Sequence, residues 1–107
     1  MPLTRILFPL VRLAASDGTL AALEASGEEP LPFYERHAAG DWGSVPQSQM
    51  IANMLGLITG DPLWSSFRTT LGVEFWVITG TDRSITYLLL PDEQEDVPMV
   101  NGRRREA

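Results

Sequence analysis

The chain has 107 residues, of which 44% are hydrophobic and 21% are charged, and its formal net charge is −6. This length and composition are typical of one globular domain with its own core. The chain has no cysteine and one histidine, which excludes disulfides and thiolate zinc sites, and we predict neither a metal nor a cofactor. Residues 1–100 hold five arginines against thirteen acidic residues, a net of −8. Such a body repels nucleic acid and favours basic protein partners. The alternative is that the acidity serves only to keep a small protein soluble.

The N-terminus carries a short apolar run at residues 6–11, which follows Arg5 and ends at Arg12. An export signal needs a longer apolar region, and a membrane span needs about 20 residues. We therefore expect a cytoplasmic protein that does not associate with membranes.

Two short helices are predicted in the next part of the chain. The first, over residues 16–27, starts at Ser16 or Asp17 and stops at a glycine. The second starts near Pro32 and places His37 on one face with two aromatic residues, before a further glycine.

A third helix is predicted to start at residues 44–47, because their Ser-Val-Pro-Gln sequence fits a capping box. It ends at the Gly-Asp-Pro sequence of residues 60–62. Its large apolar residues recur on one helix face. They are Met50, Ile51, Met54, Leu55 and Ile58.

After residue 62 the apolar pattern changes to the two-residue period of β-strands. Strands are predicted over residues 63–70, 73–79 and 85–90, with short turns between them. The second and third strands are apolar on both faces, which a sheet with one solvated face would not be. Helices on both faces would account for this pattern, and so would a homodimer formed through the sheet or through Trp64.

The predicted fold is therefore α+β, with N-terminal short helices packed on a C-terminal three-stranded antiparallel β-meander. A single domain is expected over residues 1–97. Residues 98–107, which include three consecutive arginines, are expected to form a disordered tail.

Two candidate reactive residues, His37 and Asp41, lie four positions apart in the sequence RHAAGDWG. They can be interpreted as a general base and the carboxylate that orients it. The interpretation that we favour is structural. In it, His37 packs on its helix, Gly40 ends that helix, Asp41 fixes the turn and Trp42 packs beneath the sheet.

A second candidate site is the predicted turn at residues 81–84. Asp82 can bind the turn backbone, and Arg83 can project outward and bind a carboxylate or phosphate. The alternative is an ordinary hairpin turn in which Arg83 pairs with a nearby acid. Thr79 and Thr86 flank the turn, and they either extend a polar patch or form a cross-strand pair.

These motifs resemble those of a family of small bacterial proteins common on plasmids and other mobile elements, for which we know of no established activity. The matching segments are the alanine- and leucine-rich residues 21–27, RHAAGDWG at 36–43, Asn53, SSF at 65–67 and FWVITGTDRSITYLLLPDE at 75–93. The resemblance implies a mobile-element setting. Acidic residues are usual in the family near Gln47 and Gln49 and at Gly80. If those carboxylates carry chemistry, this chain is impaired or repurposed.

From its acidity, small size and resemblance, we interpret the protein as a binding protein rather than an enzyme. It is expected to inhibit a host defence complex that targets nucleic acid, such as a CRISPR effector or a restriction enzyme, by occupying a basic surface. The predicted partner-binding residues are Glu24, Glu28, Glu29, Glu35, Trp64, Arg83, Asp92, Glu93, Glu95 and Asp96. One alternative is a small hydrolase-like or transferase-like enzyme that uses His37, Asp41, Asp82 and Arg83, and another is a structural partner for a second plasmid-encoded protein.

Overall fold

The fold was obtained as a computed structural model that describes residues 5–96, and these form three helices and a four-stranded mixed sheet. The predicted disordered tail lies outside the described residues. The elements in chain order are β1 (Arg12–Ala15), α1 (Asp17–Ser26), α2 (Leu31–Ala38), α3 (Gln47–Thr59), β2 (Leu63–Arg68), β3 (Glu74–Thr79), β4 (Ile85–Leu89) and a 3-10 helix (Pro91–Asp96). The α+β class agrees with the sequence.

The predicted three-stranded antiparallel meander is wrong. β2, β3 and β4 do pair in antiparallel sequence order, but β1 adds a fourth strand parallel to β4, so that the sheet order is β1-β4-β3-β2. Parallel strands need a long crossover connection. Here that connection contains all three helices and two strands. A four-residue strand whose partner is so distant leaves no local signal in the sequence.

The helix ends differ in how well the local sequence predicts them. α1 begins as expected, because the Ser16 side chain accepts a hydrogen bond of 3.0 Å from the Thr19 backbone N–H. The capping box predicted for α3 does not form. Pro46 precedes the helix, and the Ser44 backbone N–H donates to the carbonyl of Ser66 in β2 at 2.8 Å. Ser44 is thus held by the edge of the sheet.

The main core lies where α1 and α2 pack on one face of the sheet, which we call the inner face. Its buried side chains are Leu23, Phe33, Tyr34, Phe67, Phe75, Val77 and Leu88. An adjoining cluster contains Phe8, Ala38, Trp42, Val45 and Leu63. Tyr87 and Leu89 are buried on the opposite face, where partly buried Trp76 and Ile78 pack against them. Both faces of the central strands are therefore apolar, as their sequences indicate.

Candidate functional site

His37 lies in a closed polar pocket between α2 and the inner face of the sheet, with no exposed surface. Its Nδ1 is hydrogen-bonded to the Ser65 hydroxyl of β2, and its Nε2 lies 2.9 Å from the Thr79 hydroxyl of β3. The Thr79 hydroxyl in turn lies 2.7 Å from that of Thr86 in β4. One helix and three strands are therefore joined through a continuous polar network.

The surroundings of His37 keep its imidazole neutral. Phe8 and Trp42 contact the ring edge to face, with centroid separations of 5.4 and 5.5 Å. Burial, followed by the positive charge of Arg83, lowers the pKa of His37 from 6.5 to about 3. A general base must reach the proton that it removes. In this conformation both ring nitrogens are engaged by hydroxyls and the ring is closed to solvent.

Asp41 does not orient His37. Its carboxylate is exposed and forms an ion pair of 2.8 Å with the Nε of Arg36. It also accepts a hydrogen bond of 3.1 Å from the Gly43 backbone N–H. The structure thus places Asp41 in the turn after α2, in the position that the structural interpretation predicts.

Arg83 occupies the turn between β3 and β4 with a backbone φ of 61°. Its guanidinium donates hydrogen bonds to the carbonyls of Gly56, Asp61 and Gly80 at 2.7, 2.8 and 3.0 Å. The two sequence interpretations were that Arg83 projects outward or that it pairs with a nearby acid. In the structure it does neither. Instead it links its own turn to the C-terminal end of α3, through the Gly56 carbonyl, and to Asp61 just beyond that helix.

Asp82 stabilises the same turn. It accepts hydrogen bonds from the Ser84 backbone N–H at 3.0 Å and from the Ser84 hydroxyl at 2.8 Å. These bonds, the backbone bond first, lower the pKa of Asp82. Among the described residues, no side-chain hydrogen bond joins any two of His37, Asp41, Asp82 and Arg83, and the one interaction between them is the effect of the Arg83 charge on the pKa of His37.

α3 lies against the outer edge of β2, and Asn53 makes the connection. Its Nδ2 donates to the Trp64 carbonyl at 2.7 Å, while its Oδ1 accepts from the Trp64 backbone N–H at 3.1 Å. The amide thereby takes the place of a further strand at an edge that would otherwise be open. Gly56, one turn along, lets the helix approach, because a Cβ there would lie 3.1 Å from the Leu63 side chain.

The apolar face predicted for α3 consequently faces outward. Its residues, which we call the α3 stripe, are Met50, Ile51, Met54, Leu55 and Ile58, with exposed fractions of 39, 54, 58, 56 and 84%. The buried residues of the helix are Asn53 and Gly56. No residue of α3 carries a charge. The stripe is therefore an exposed, uncharged apolar surface.

A second surface feature is a groove of about 400 Å³ at the junction of α1 and α2, which we call the acidic groove. Glu24, Glu28 and Glu29 line it, together with the half-exposed Leu20. Glu28 is held in place by the Ser26 hydroxyl and by the Thr70 backbone N–H, and these bonds lower its pKa. Glu24 and Glu29 are exposed.

The other predicted partner-binding residues are dispersed. Glu35 and Asp92 are exposed. Glu93 accepts hydrogen bonds from the Ser16 hydroxyl and from the Leu90 backbone N–H. Trp64 is partly buried against Trp76, with ring centroids 5.0 Å apart. The last two, Glu95 and Asp96, lie in the 3-10 helix.

Sequence reasoning missed Ser65 and Asn53. Ser65 occupies an inward position of β2 between Leu63 and Phe67, and a polar residue at such a position was the available signal. Asn53 is one of the residues that match the family motifs, but its position gave no indication of a structural role, because a polar residue opposite an apolar helix face is usually solvated. Its role depends on a strand edge that becomes apparent only in the folded chain.

Across residues 5–93, no group of three or more acidic or histidine side chains is arranged to hold a metal ion. None of the described helices is long and apolar enough to cross a membrane. Comparisons with family models, curated proteins and solved structures gave no match to this chain.

Proposed function

We propose that the protein acts by binding, as an inhibitor that occupies a basic surface of a host complex that targets nucleic acid, such as a CRISPR effector or a restriction enzyme. The observation that carries the proposal is the acidic groove. Two of its three carboxylates, those of Glu24 and Glu29, are exposed. The one ion pair among the described side chains, between Arg36 and Asp41, involves neither of them.

The acidic groove suits a lysine or arginine side chain of a partner. Its apolar wall at Leu20 can cover the aliphatic part of such a side chain, while the charged end meets the glutamates. Glu28 is already fixed by bonds to Ser26 and Thr70. A carboxylate fixed in this way loses little conformational entropy when it pairs with a cation.

The charge of the whole body supports the same class of partner. The net of −8 over residues 1–100 attracts a basic surface and repels the nucleic acid that such a surface normally binds. The resemblance to mobile-element proteins supports the choice of a host defence complex, because mobile elements meet such complexes on entering a cell.

The test is capture of host proteins on the immobilised chain, followed by competition. We expect capture of a complex that binds nucleic acid, release of that complex as salt rises, and displacement by its own DNA or RNA. Salt acts on the attraction because screening shortens it to about 8 Å at physiological ionic strength. The double substitution Glu24→Gln and Glu29→Gln should weaken capture about tenfold, since exposed charge pairs contribute up to about 1 kcal/mol each.

The matched control is Asp17→Asn with Asp61→Asn, which removes the same charge from two exposed residues outside the acidic groove. It should bind like the unmodified chain. Binding that is indifferent to salt, or a captured complex that holds nucleic acid and this protein at the same time, would contradict the occlusion mechanism.

A further inference from the structure

We propose that the α3 stripe is a homodimer interface, in which α3 of one copy packs against α3 of a second copy around a two-fold axis near Met54. This contact is separate from the acidic groove, so that a dimer presents two acidic grooves. It also differs from a dimer through the sheet or Trp64, because neither contributes to the stripe.

The outward orientation of the stripe is enforced by the opposite face of α3. Asn53 makes two hydrogen bonds to Trp64, and the guanidinium of Arg83 binds the Gly56 carbonyl. Rotating the helix to bury the stripe would break all three bonds. The exposure is therefore part of the fold, and the described residues of the domain leave the stripe uncovered.

A second copy can cover the stripe without bringing like charges into contact. Two bodies that each carry a net of −8 over residues 1–100 repel one another, salt screens this repulsion beyond about 8 Å, and the remaining cost is smallest at an uncharged surface. α3 provides that surface, because none of its thirteen residues is charged. A helix that binds membrane surfaces instead carries Lys or Arg along its polar face, and α3 has neither.

The size of the stripe also fits a dimer. Five large apolar side chains, four of them more than half exposed, present on the order of 600 Å², the upper end for a patch on a monomer. Two such stripes together bury on the order of 1,200 Å², the lower limit for a stable and specific interface. We therefore expect a dissociation constant in the micromolar range.

The spacing of the stripe allows two identical helices to interlock. Met50, Met54 and Ile58 follow one another at intervals of four residues and form a ridge along α3. Ridges of this kind from two helices pack into each other's grooves at about 50°. In a two-fold arrangement Met54 meets its own copy, and Met50 meets Ile58 of the other copy. Flexible methionine side chains fill the remaining gaps.

The test measures the mass of the full chain by sedimentation equilibrium over a range of concentrations. We expect the unmodified chain to approach twice its mass of 11.8 kDa. Met54→Glu places two like charges at the axis, which costs several kcal/mol and should weaken the dimer about 100-fold while leaving the far-UV circular dichroism unchanged. Ala52→Glu adds the same charge on the flank of α3, and this variant should dimerise like the unmodified chain.

Because the chain has no cysteine, a single Met54→Cys substitution reports the contact directly. Contacting helices lie about 8–10 Å apart, which brings residues at the two-fold axis within reach of a disulfide. Met54→Cys should cross-link two copies under mild oxidation, whereas Ala52→Cys should not.

Chains with Glu24→Gln and Glu29→Gln should dimerise normally, so the two proposals can fail separately. A strictly monomeric chain, or a Met54→Glu variant that dimerises as tightly as the unmodified chain, would overturn the inference.

Discussion

α2 and α3 are both amphipathic helices, yet they present opposite kinds of side chain to the rest of the fold. α2 buries Phe33, Tyr34 and His37 against the inner face of the sheet. α3 turns its stripe outward and buries Asn53 and Gly56. The comparison shows that apolar periodicity identifies a helix face but does not determine where that face points.

The surface that each helix meets explains the difference. α2 lies on the face of the sheet, where aromatic and aliphatic side chains of β2 and β3 are available to pack. α3 lies against the edge of β2, where the N–H and C=O of Trp64 need hydrogen-bond partners. A buried backbone group without a partner costs about 1–3 kcal/mol, and an amide side chain satisfies a donor and an acceptor together.

This arrangement leaves the apolar side chains of the α3 stripe exposed, so their burial does not stabilise the monomer. Full burial of a large aliphatic side chain stabilises a fold by about 1.5–3 kcal/mol, and the five residues of the α3 stripe forgo much of that within the monomer. A second copy that covers the stripe recovers part of it. The orientation of α3 therefore leaves its apolar face available for the dimer contact that we propose.

The largest expected effect is the difference in the free energy of unfolding between a variant at Trp42, just after α2, and a variant at Ile58 in α3. Trp42 is buried beside His37 and Ala38, so Trp42→Ala should lower the free energy of unfolding by about 3–5 kcal/mol. Ile58 is 84% exposed, and Ile58→Ala should change the value for the monomer by no more than about 0.5 kcal/mol. Urea unfolding at concentrations where the chain is monomeric measures both values. Similar losses for the two variants would show that α3 also buries its apolar face.

The second effect concerns the polar contact of α3. Asn53→Leu replaces the amide with an apolar side chain of similar size and leaves two backbone groups of Trp64 without partners. We expect a loss of about 2–3 kcal/mol despite the greater hydrophobicity of leucine. Ala52→Leu, at the adjacent exposed position, is the control and should change stability by no more than about 0.5 kcal/mol. A stable Asn53→Leu chain would mean that the helix docks through shape alone.

The features that could be predicted from the sequence are those with local signals. The helix expected over residues 16–27 is observed at Asp17–Ser26, because its cap and its terminal glycine lie within the segment itself. The strand expected over residues 63–70 is observed at Leu63–Arg68. β1 was missed, because Arg12 pairs with Ile85 at the far end of the chain. The orientation of α3 could not be predicted either, since it depends on an unpaired strand edge.

The candidate site divides in the same way. A common helix face for His37, Phe33 and Tyr34 follows from helical spacing, and the structure buries all three. The ring contacts of His37 are with Phe8 and Trp42, which lie outside α2. Its hydroxyl partners, Ser65 and Thr79, come from strands far along the chain, so that no spacing indicates them. Arg83 binds three carbonyls through a turn whose position against α3 is set by the fold. Its function at that position was therefore beyond sequence reasoning.

The smallest expected effect is a pH dependence of the free energy of unfolding, which arises from His37 on α2. The pKa of His37 is 6.5 in the unfolded chain and about 3 in the folded one, so between these values the unfolded chain binds more protons. Stability therefore falls as pH falls through this window, by up to about 1.4 kcal/mol per pH unit.

His37→Gln keeps groups that can bond to the hydroxyls but does not titrate. Urea unfolding between pH 6.5 and pH 5 should show the slope in the unmodified chain and not in His37→Gln. Measurements in this range avoid the carboxylates of Glu28, Glu74 and Asp82, whose pKa values are lowered and whose losses come at more acidic pH. Parallel curves for the two chains would mean that His37 can take up a proton inside the fold. Its pocket would then have to open to water, and the case for a purely structural histidine would be lost.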